Sequence, residues 1–279
     1  MLTPSPAAPF FVDLALARRL EEVEIAQHRA AAGLISARLP ELGAAAVSVA
    51  GGVVAYCGAT VPISRAIGLA LGEPFTDADA DTLETFYRSR GCPAVVLLSP
   101  FADASIYRLL GERGFRLDEL DSVLTRSIEA ADAALFPAGE ITVERAPMRE
   151  ARAWVERSIA SFSGSDSAVP DGSAAIYESL FPDPAATYLY ARCQGEIAGT
   201  GATYAHAGTS YFFATSTAPA FRGRGAQTAL IAARLALSAE AGCTLAYSRT
   251  ASGGPSQRNL ERAGFRVAYS RAVMKKRFV

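Results

Sequence analysis

A weak, ordered self-similarity at an offset of about 150 residues most limits the folds open to this chain. Gly91-Cys92 and Gly242-Cys243 each stand before an apolar stretch. Gly114-Phe115-Arg116 recurs as Gly264-Phe265-Arg266, and Val123-Leu124-Thr125-Arg126 aligns with Val273-Met274-Lys275-Lys276. Gly-Phe after a helix is common C-cap chemistry, so a single match says little. Three matches in one order, between matched element types, predict a duplicated unit. The 279 residues suit one large domain or two of about half that length. The stretch Glu129 to Gly139, rich in Ala and holding Pro137 and Gly139, is the natural boundary, which gives units over 1–135 and 140–279.

Periodicity fills in both units. Asp13 opens a helical pattern running to Pro40, and Ala45-Val47-Val49 and Val53-Val54-Tyr56 flank Gly51-Gly52 as a hairpin. A helix over Thr76 to Ser89, a strand over Pro93 to Ser99 and a helix over Ser105 to Arg113 follow; Phe115 to Ile128 supplies a last strand or pair of strands. The second unit restarts with a strand at Ile141 to Arg145 and a helix at Met148 to Ser161. A Ser/Gly/Asp/Pro loop (Ser163 to Gly172) and a short helix (Ala174 to Phe181) come next. Three strands (Thr187 to Arg192, Glu196 to His206, Ser210 to Thr217) precede a strong helix at Gln227 to Ala241. A strand at Thr244 to Ser248, a helix at Ser256 to Ala263 and closing strands over Phe265 to Arg277 end the chain.

Composition excludes several classes. Lys plus Arg number 27 against 28 Asp plus Glu, so no global charge draws nucleic acid, and any anion site must be local. Four scattered cysteines with two histidines, His28 and His206, give no metal-ligand spacing; no metal is expected. The first residues lack a leader pattern and no segment has the apolar length of a membrane span. The expectation is a cytoplasmic protein, monomeric or homodimeric, with no nucleic-acid or membrane partner.

One segment carries chemistry. Arg222-Gly223-Arg224-Gly225-Ala226-Gln227-Thr228 joins a strand to a helix. Amides at a helix N-terminus have no intrahelical acceptor and the helix dipole is positive there, so the turn is suited to an anion. The glycines permit close approach, and the arginines supply charge and forked donors. There is no GxxxxGK[ST], and Gly199-Thr200-Gly201 lacks the rest of a dinucleotide fingerprint. On spacing alone, an ordinary strand-to-helix connection with two exposed arginines fits as well.

The segment resembles motif A of the GNAT superfamily of N-acetyltransferases, Q/R-x-x-G-x-G/A. Arg222 and Gly225 match its first and fourth positions, while Gln227 replaces the last small residue. Ser256-Gln257-Arg258-Asn259-Leu260-Glu261-Arg262-Ala263-Gly264-Phe265 is similar to the family's next motif. The resemblance implies two tandem GNAT-like domains of α/β (α+β) class, each a mixed, mostly antiparallel twisted sheet flanked by helices. It further implies acetyl-CoA as co-substrate and acetyl transfer to a primary amine of a small molecule or amino acid. Thr215, Ser216, Thr217, Arg222, Gly223, Arg224, Gly225, Ala226, Gln227, Thr228 and Asn259 are the implied cofactor contacts. Asn259 equally suits a role within helix backbone. In the matching register of the first unit stands Leu71-Gly72-Glu73-Pro74-Phe75-Thr76, which lacks arginines, loses an amide to Pro74 and is ringed by Asp77, Asp79 and Asp81. The first unit is therefore expected to be a degenerate copy without cofactor.

Proton transfer is less legible. Where some family members carry a base glutamate this chain has Tyr211, a poor base near its reference pKa of about 10, and the frequent acid tyrosine is Leu260. His206 has the better intrinsic pKa, although one histidine near a strand end is commonly a surface residue. Phe162, Tyr177, Tyr204 and Tyr247 are candidates for the amine pocket, with Phe181 beside them; aromatics at such places are also ordinary core. The missing base and acid keep two other readings open, a non-catalytic acyl-CoA-binding regulator and an acyltransferase using a longer acyl donor.

Overall fold

The computed structural model describes residues 10–59, 61–134, 140–163 and 173–278. The first repeat runs α1 (Leu14–Arg38), β1 (Ala45–Val49), β2 (Gly52–Tyr56), β3 (Ala66–Ile67), α2 (Asp77–Arg88), β4 (Ala94–Leu98), α3 (Ala104–Glu112) and β5 (Arg116–Ser127). The second runs β6 (Ile141–Arg145), α4 (Ala151–Ser163), α5 (Ser173–Glu178), β7 (Ala186–Cys193), β8 (Glu196–His206), β9 (Thr209–Thr217), α6 (Ala226–Glu240), β10 (Leu245–Ala251), α7 (Pro255–Arg262) and β11 (Arg266–Lys276). Thus α2, β4, α3 and β5 correspond in order to α6, β10, α7 and β11. Their helix ends match bond for bond. Gly114 and Gly264 stand at φ +79° and +87°, a left-handed cap that glycine adopts without Cβ strain. The next amides, of Phe115 and Phe265, donate back to Leu110 O and Leu260 O at 2.9 and 3.1 Å. Cys92 and Cys243 do the same to Tyr87 O and Ser238 O, at 3.2 and 2.9 Å.

The repeats share one sheet of eleven strands in the order β1-β2-β3-β4-β11-β5-β10-β9-β8-β7-β6. Each repeat's last strand is inserted into the other. β11 lies between β4 and β5, pairing antiparallel with both, while β5 lies between β11 and β10. Both β5 and β11 are single long strands, and each is followed in the sheet by a strand of the other repeat. No periodicity argument yields this exchange, because a strand's own pattern does not specify its neighbour. The two-residue β3 was too short to carry a pattern at all.

α1 packs across β1 and β2 of its own repeat and also across β8 and β9 of the other. Asp13 Oδ1 caps it by accepting from Leu16 N at 2.8 Å. Its buried face holds Leu20, Val23, Ala31 and Ile35 and, at the same helical spacing, Glu21, Glu24 and His28. Those two carboxylates are locked onto the second repeat. Glu24 accepts from Arg249 Nε (2.9 Å), from Arg271 (3.1 Å) and from Tyr247 OH (2.5 Å); Glu21 accepts from Arg271 (3.1 Å) and Tyr269 OH (2.8 Å). Burial alone would raise the Glu24 pKa, but the Arg271 and Arg249 guanidiniums outweigh it and hold the group well below the carboxylate range. Among the described residues no helix is long and apolar enough to cross a membrane.

Candidate active site at the strand fork

α6 starts at Ala226 behind Gly225, whose φ is +88°, and no side chain caps its free amides. Gly223 is also left-handed, at φ +79°, and a Cβ on either glycine would meet no atom within 4 Å. The turn thus needs glycine for its backbone, and Arg222, Gly223, Arg224 and Gly225 are all exposed beside those amides. The corresponding end of α2 is already closed. Thr76 Oγ1 accepts from Asp79 N, Asp79 accepts from Thr76 N at 2.9 Å, and Arg113 bridges Asp77 and Asp81 at 2.8 and 2.5 Å. Arg18 Nε also donates to Leu71 O at 2.9 Å, so its side chain lies over the first-repeat turn.

Gln227, the departure from the motif, accepts from Asn259 Nδ2 at 2.5 Å and donates to Ser256 Oγ at 3.2 Å. It ties the first turn of α6 to α7, and this engages the Asn259 amide. Thr228 is exposed on the same turn.

The turn leads into a fork. β9 and β10 run parallel over Thr209 to Phe212 and Leu245 to Ser248, and their pairing stops there although both strands continue. Ser248 Oγ donates to Phe212 O at 2.9 Å where they part. β9 then bulges: from Phe213 to Ser216 it spends three steps against two on β8, from Ala202 to Thr200, with Ala214 at φ +48°. The bulge is supported from behind by the fully buried Arg234, which donates to Thr215 Oγ1 (2.7 Å) and Ala202 O (3.3 Å). Burial pulls the Arg234 pKa down to about 9. Ser216 Oγ is paired with Thr200 Oγ1 at 2.7 Å. With both hydroxyls engaged, what Thr215 and Ser216 present to the fork is main chain; Thr217 ends the strand.

Across the bulge lies a cavity of about 360 Å³, within the range of small-molecule sites. Phe213 and Ala214 of the bulged strand line it, as do Tyr177, Tyr204 and Tyr211. The sequence singled out these three tyrosines from separate elements. Tyr247 is not in the lining; it lies beneath Tyr211, with ring centroids 4.8 Å apart, and its hydroxyl goes to Glu24. Burial pushes Tyr211 up to about 12, which weakens it further as an acid or base at neutral pH. His206 is outside the cavity, partly exposed at the end of β8, 4.0 Å from Glu22. The Phe162 side chain falls outside the described residues.

The opposite wall comes from the first repeat: Glu24, Gln27, His28 and Ala31 of α1, with Pro62 and Ile63. His28 is 1% exposed. Its Nδ1 lies 2.7 Å from Glu24 O; a carbonyl only accepts, so Nδ1 carries the proton. Nε2 is then an acceptor, and it has no partner among the described residues. Burial lowers the His28 pKa to about 4 against the opposing pull of Glu24, so the ring is neutral at pH 7. Sequence reasoning passed over Glu24, Gln27 and His28. Polar residues on the apolar face of a helix were the available signal.

Residues 152–265 match the profile of the acetyltransferase (GNAT) family. Solved structures agree on the fold. The chain is similar to a GCN5-related N-acetyltransferase from Kribbella flavida (20% identity, TM-score 0.60, covering 89% of this chain and 96% of that one). It is similar also to a tandem GNAT protein from the clavulanic acid biosynthesis pathway (15%, 0.57, 96% and 97%). A GCN5-related N-acetyltransferase from Sphaerobacter thermophilus matches over 66% of this chain, which spans 59% of that protein's length (20%, 0.51). No curated protein matches the sequence. The second repeat thus carries the match to the GNAT profile, and the chain as a whole has the tandem GNAT fold.

Proposed function

We propose that the protein is an N-acetyltransferase that binds acetyl-CoA in its second repeat and passes the acetyl group directly to a primary amine of a small molecule. The uncapped α6 terminus opening into the β9/β10 fork, with a cavity across the bulge, carries this reading. The pyrophosphate suits the α6 amides with Arg222 and Arg224, and the main chain of Thr215 to Thr217 suits the pantetheine arm. The amine nitrogen bonds to the thioester carbonyl carbon, the C–S bond breaks, CoA leaves as the thiolate, and the amine proton passes to water. The first repeat takes no cofactor, since its corresponding helix terminus is occupied by Thr76 and Asp79. A cytoplasmic location, where acetyl-CoA is at hand, fits the same reading.

Calorimetry with acetyl-CoA should find one site per chain, weakened about tenfold or more in the Arg222→Ala/Arg224→Ala variant, because two charge-assisted contacts are lost. Release of free thiol with a panel of amines should follow. Two sites per chain, or no binding, would contradict the reading.

A further inference from the structure

The cavity between the repeats has a chemical character that narrows the acceptor, and this inference rests on the reading above. A continuous run of rings forms one side. Trp154 meets Tyr188 at 5.0 Å, Tyr188 meets Phe213 at 6.4 Å, Phe213 stacks with Tyr211 at 5.4 Å, and Ile63, Val155 and Leu180 add aliphatic surface. Such a wall rewards an apolar body by removing it from water.

The charges in the lining are nearly all spent. Glu24 is held by Arg249 and Arg271, and Arg249 in turn by Glu24 and Asp121, the latter at 3.0 Å. Asp183, whose Oδ1 accepts from Ala185 N at 2.9 Å, makes no ion pair among the described residues. Among the described lining residues, therefore, the unpaired charge is negative and every cation is matched. A carboxylate or phosphate on the acceptor would face Asp183 and find no free cation in this lining, since Arg65, which makes no ion pair among the described residues, lines a separate cavity with Ser64, Cys92 and Lys275.

His28 supplies the complementary polar contact. Its ring is fixed by the Nδ1 hydrogen bond to its own helix, leaving the Nε2 lone pair free in a buried setting. Glu24 on the same helix, Arg249 on β10 and Arg65 on the β2–β3 connection are the charged groups that act on it. A neutral acceptor suits an amine about to react. A carboxylate in its place would favour the ammonium form and tie up the lone pair that must attack.

We propose that the acceptor is a primary amine carried on an uncharged aromatic or alkyl body, bound in this cavity with an amine N–H donated to His28 Nε2. Amines that also carry a carboxylate, amino acids among them, are discriminated against, and so are polyamines such as spermidine, whose two further ammonium groups outnumber the single unpaired carboxylate, Asp183, and would be desolvated against the ring wall. The first repeat then serves catalysis by building the acceptor wall.

Trp154 is the chain's one tryptophan and lines the cavity, so its fluorescence reports occupancy directly in the full-length protein. Phenethylamine, phenylalanine and spermidine would each be titrated without acetyl-CoA, with calorimetry as a second readout, and then compared as acceptors by thiol release. Phenethylamine should bind at least about tenfold more tightly than the other two and be acetylated in preference. His28→Phe, which keeps a ring and removes both nitrogens, should weaken phenethylamine about fivefold with acetyl-CoA affinity unchanged. Equal or tighter binding of phenylalanine or spermidine overturns the proposal, as does silence from all three amines in both readouts; neither result needs a variant to fold. Loss of acetyl-CoA binding by the unmodified protein would instead count against the proposed function, which the amine titrations do not touch.

Discussion

His28 gives a pH prediction whose size follows from its surroundings. An unfolded histidine titrates near 6.5, whereas burial lowers this one to about 4. Between those values the unfolded chain binds a proton that the native protein does not, so stability rises with pH there and is lost as pH falls from 6.5 toward 4. Integrated from pH 8 to pH 5, the loss is about 2 kcal/mol, and it reaches roughly 3 kcal/mol below pH 4. Glu21 works in the opposite direction, because burial, only partly offset by Arg271, raises its pKa. The clean quantity is therefore the difference between wild type and His28→Phe. Urea denaturation of both at several pH values between 8 and 5 should show wild type losing about 2 kcal/mol more than the variant over that range. Parallel profiles would mean that His28 is protonated or solvated in the native state, and the neutral-acceptor argument would fall with it.

Arg271→Met leaves Glu21 and Glu24 buried with one guanidinium fewer and should cost about 3–5 kcal/mol, read as a lower urea midpoint; adding Glu21→Leu should recover part of it. Gly225→Ala meets no neighbouring atom, so its cost is backbone strain alone, about 1–2 kcal/mol in the same assay. Thr76→Ala removes the α2 cap and should cost about 1 kcal/mol while calorimetric acetyl-CoA affinity stays unchanged, whereas a shift in affinity would place cofactor in the first repeat.

Local elements were legible because their signals are local. Asp13, Thr76 and the Gly-Phe pairs at 114–115 and 264–265 start or stop helices through contacts within a few residues, and these read directly from sequence. The glycine-arginine turn was legible for the same reason. The exchange of β5 and β11 was not, since it depends on pairing between residues more than a hundred positions apart. The first-repeat wall of the cavity was hidden for a related reason. Glu24 and His28 acquire meaning only when Arg249 and Tyr211 arrive from the other repeat, and in isolation they read as interruptions of a helix's apolar face. A glycine-arginine turn at one helix start leaves a motif, while a cavity assembled from α1, α4, α5, β8, β9 and β10 leaves none.

The exchange also ties the first repeat, whose α2 terminus is closed, into the fold of the second. Without the first repeat, β10 loses β5 and β11 loses both its neighbours, β4 and β5, while Arg249 and Arg271 lose the carboxylates they serve. The carboxylates of α1 hold that helix against β8 and β9, and the same helix carries His28 into the cavity. One set of contacts thus joins the halves and shapes the wall of the cavity. The first repeat's contribution to the second lies in α1, whose fixed imidazole and pair of neutralised carboxylates meet Arg249, Arg271 and the cavity, and not in its own turn at Leu71 to Thr76.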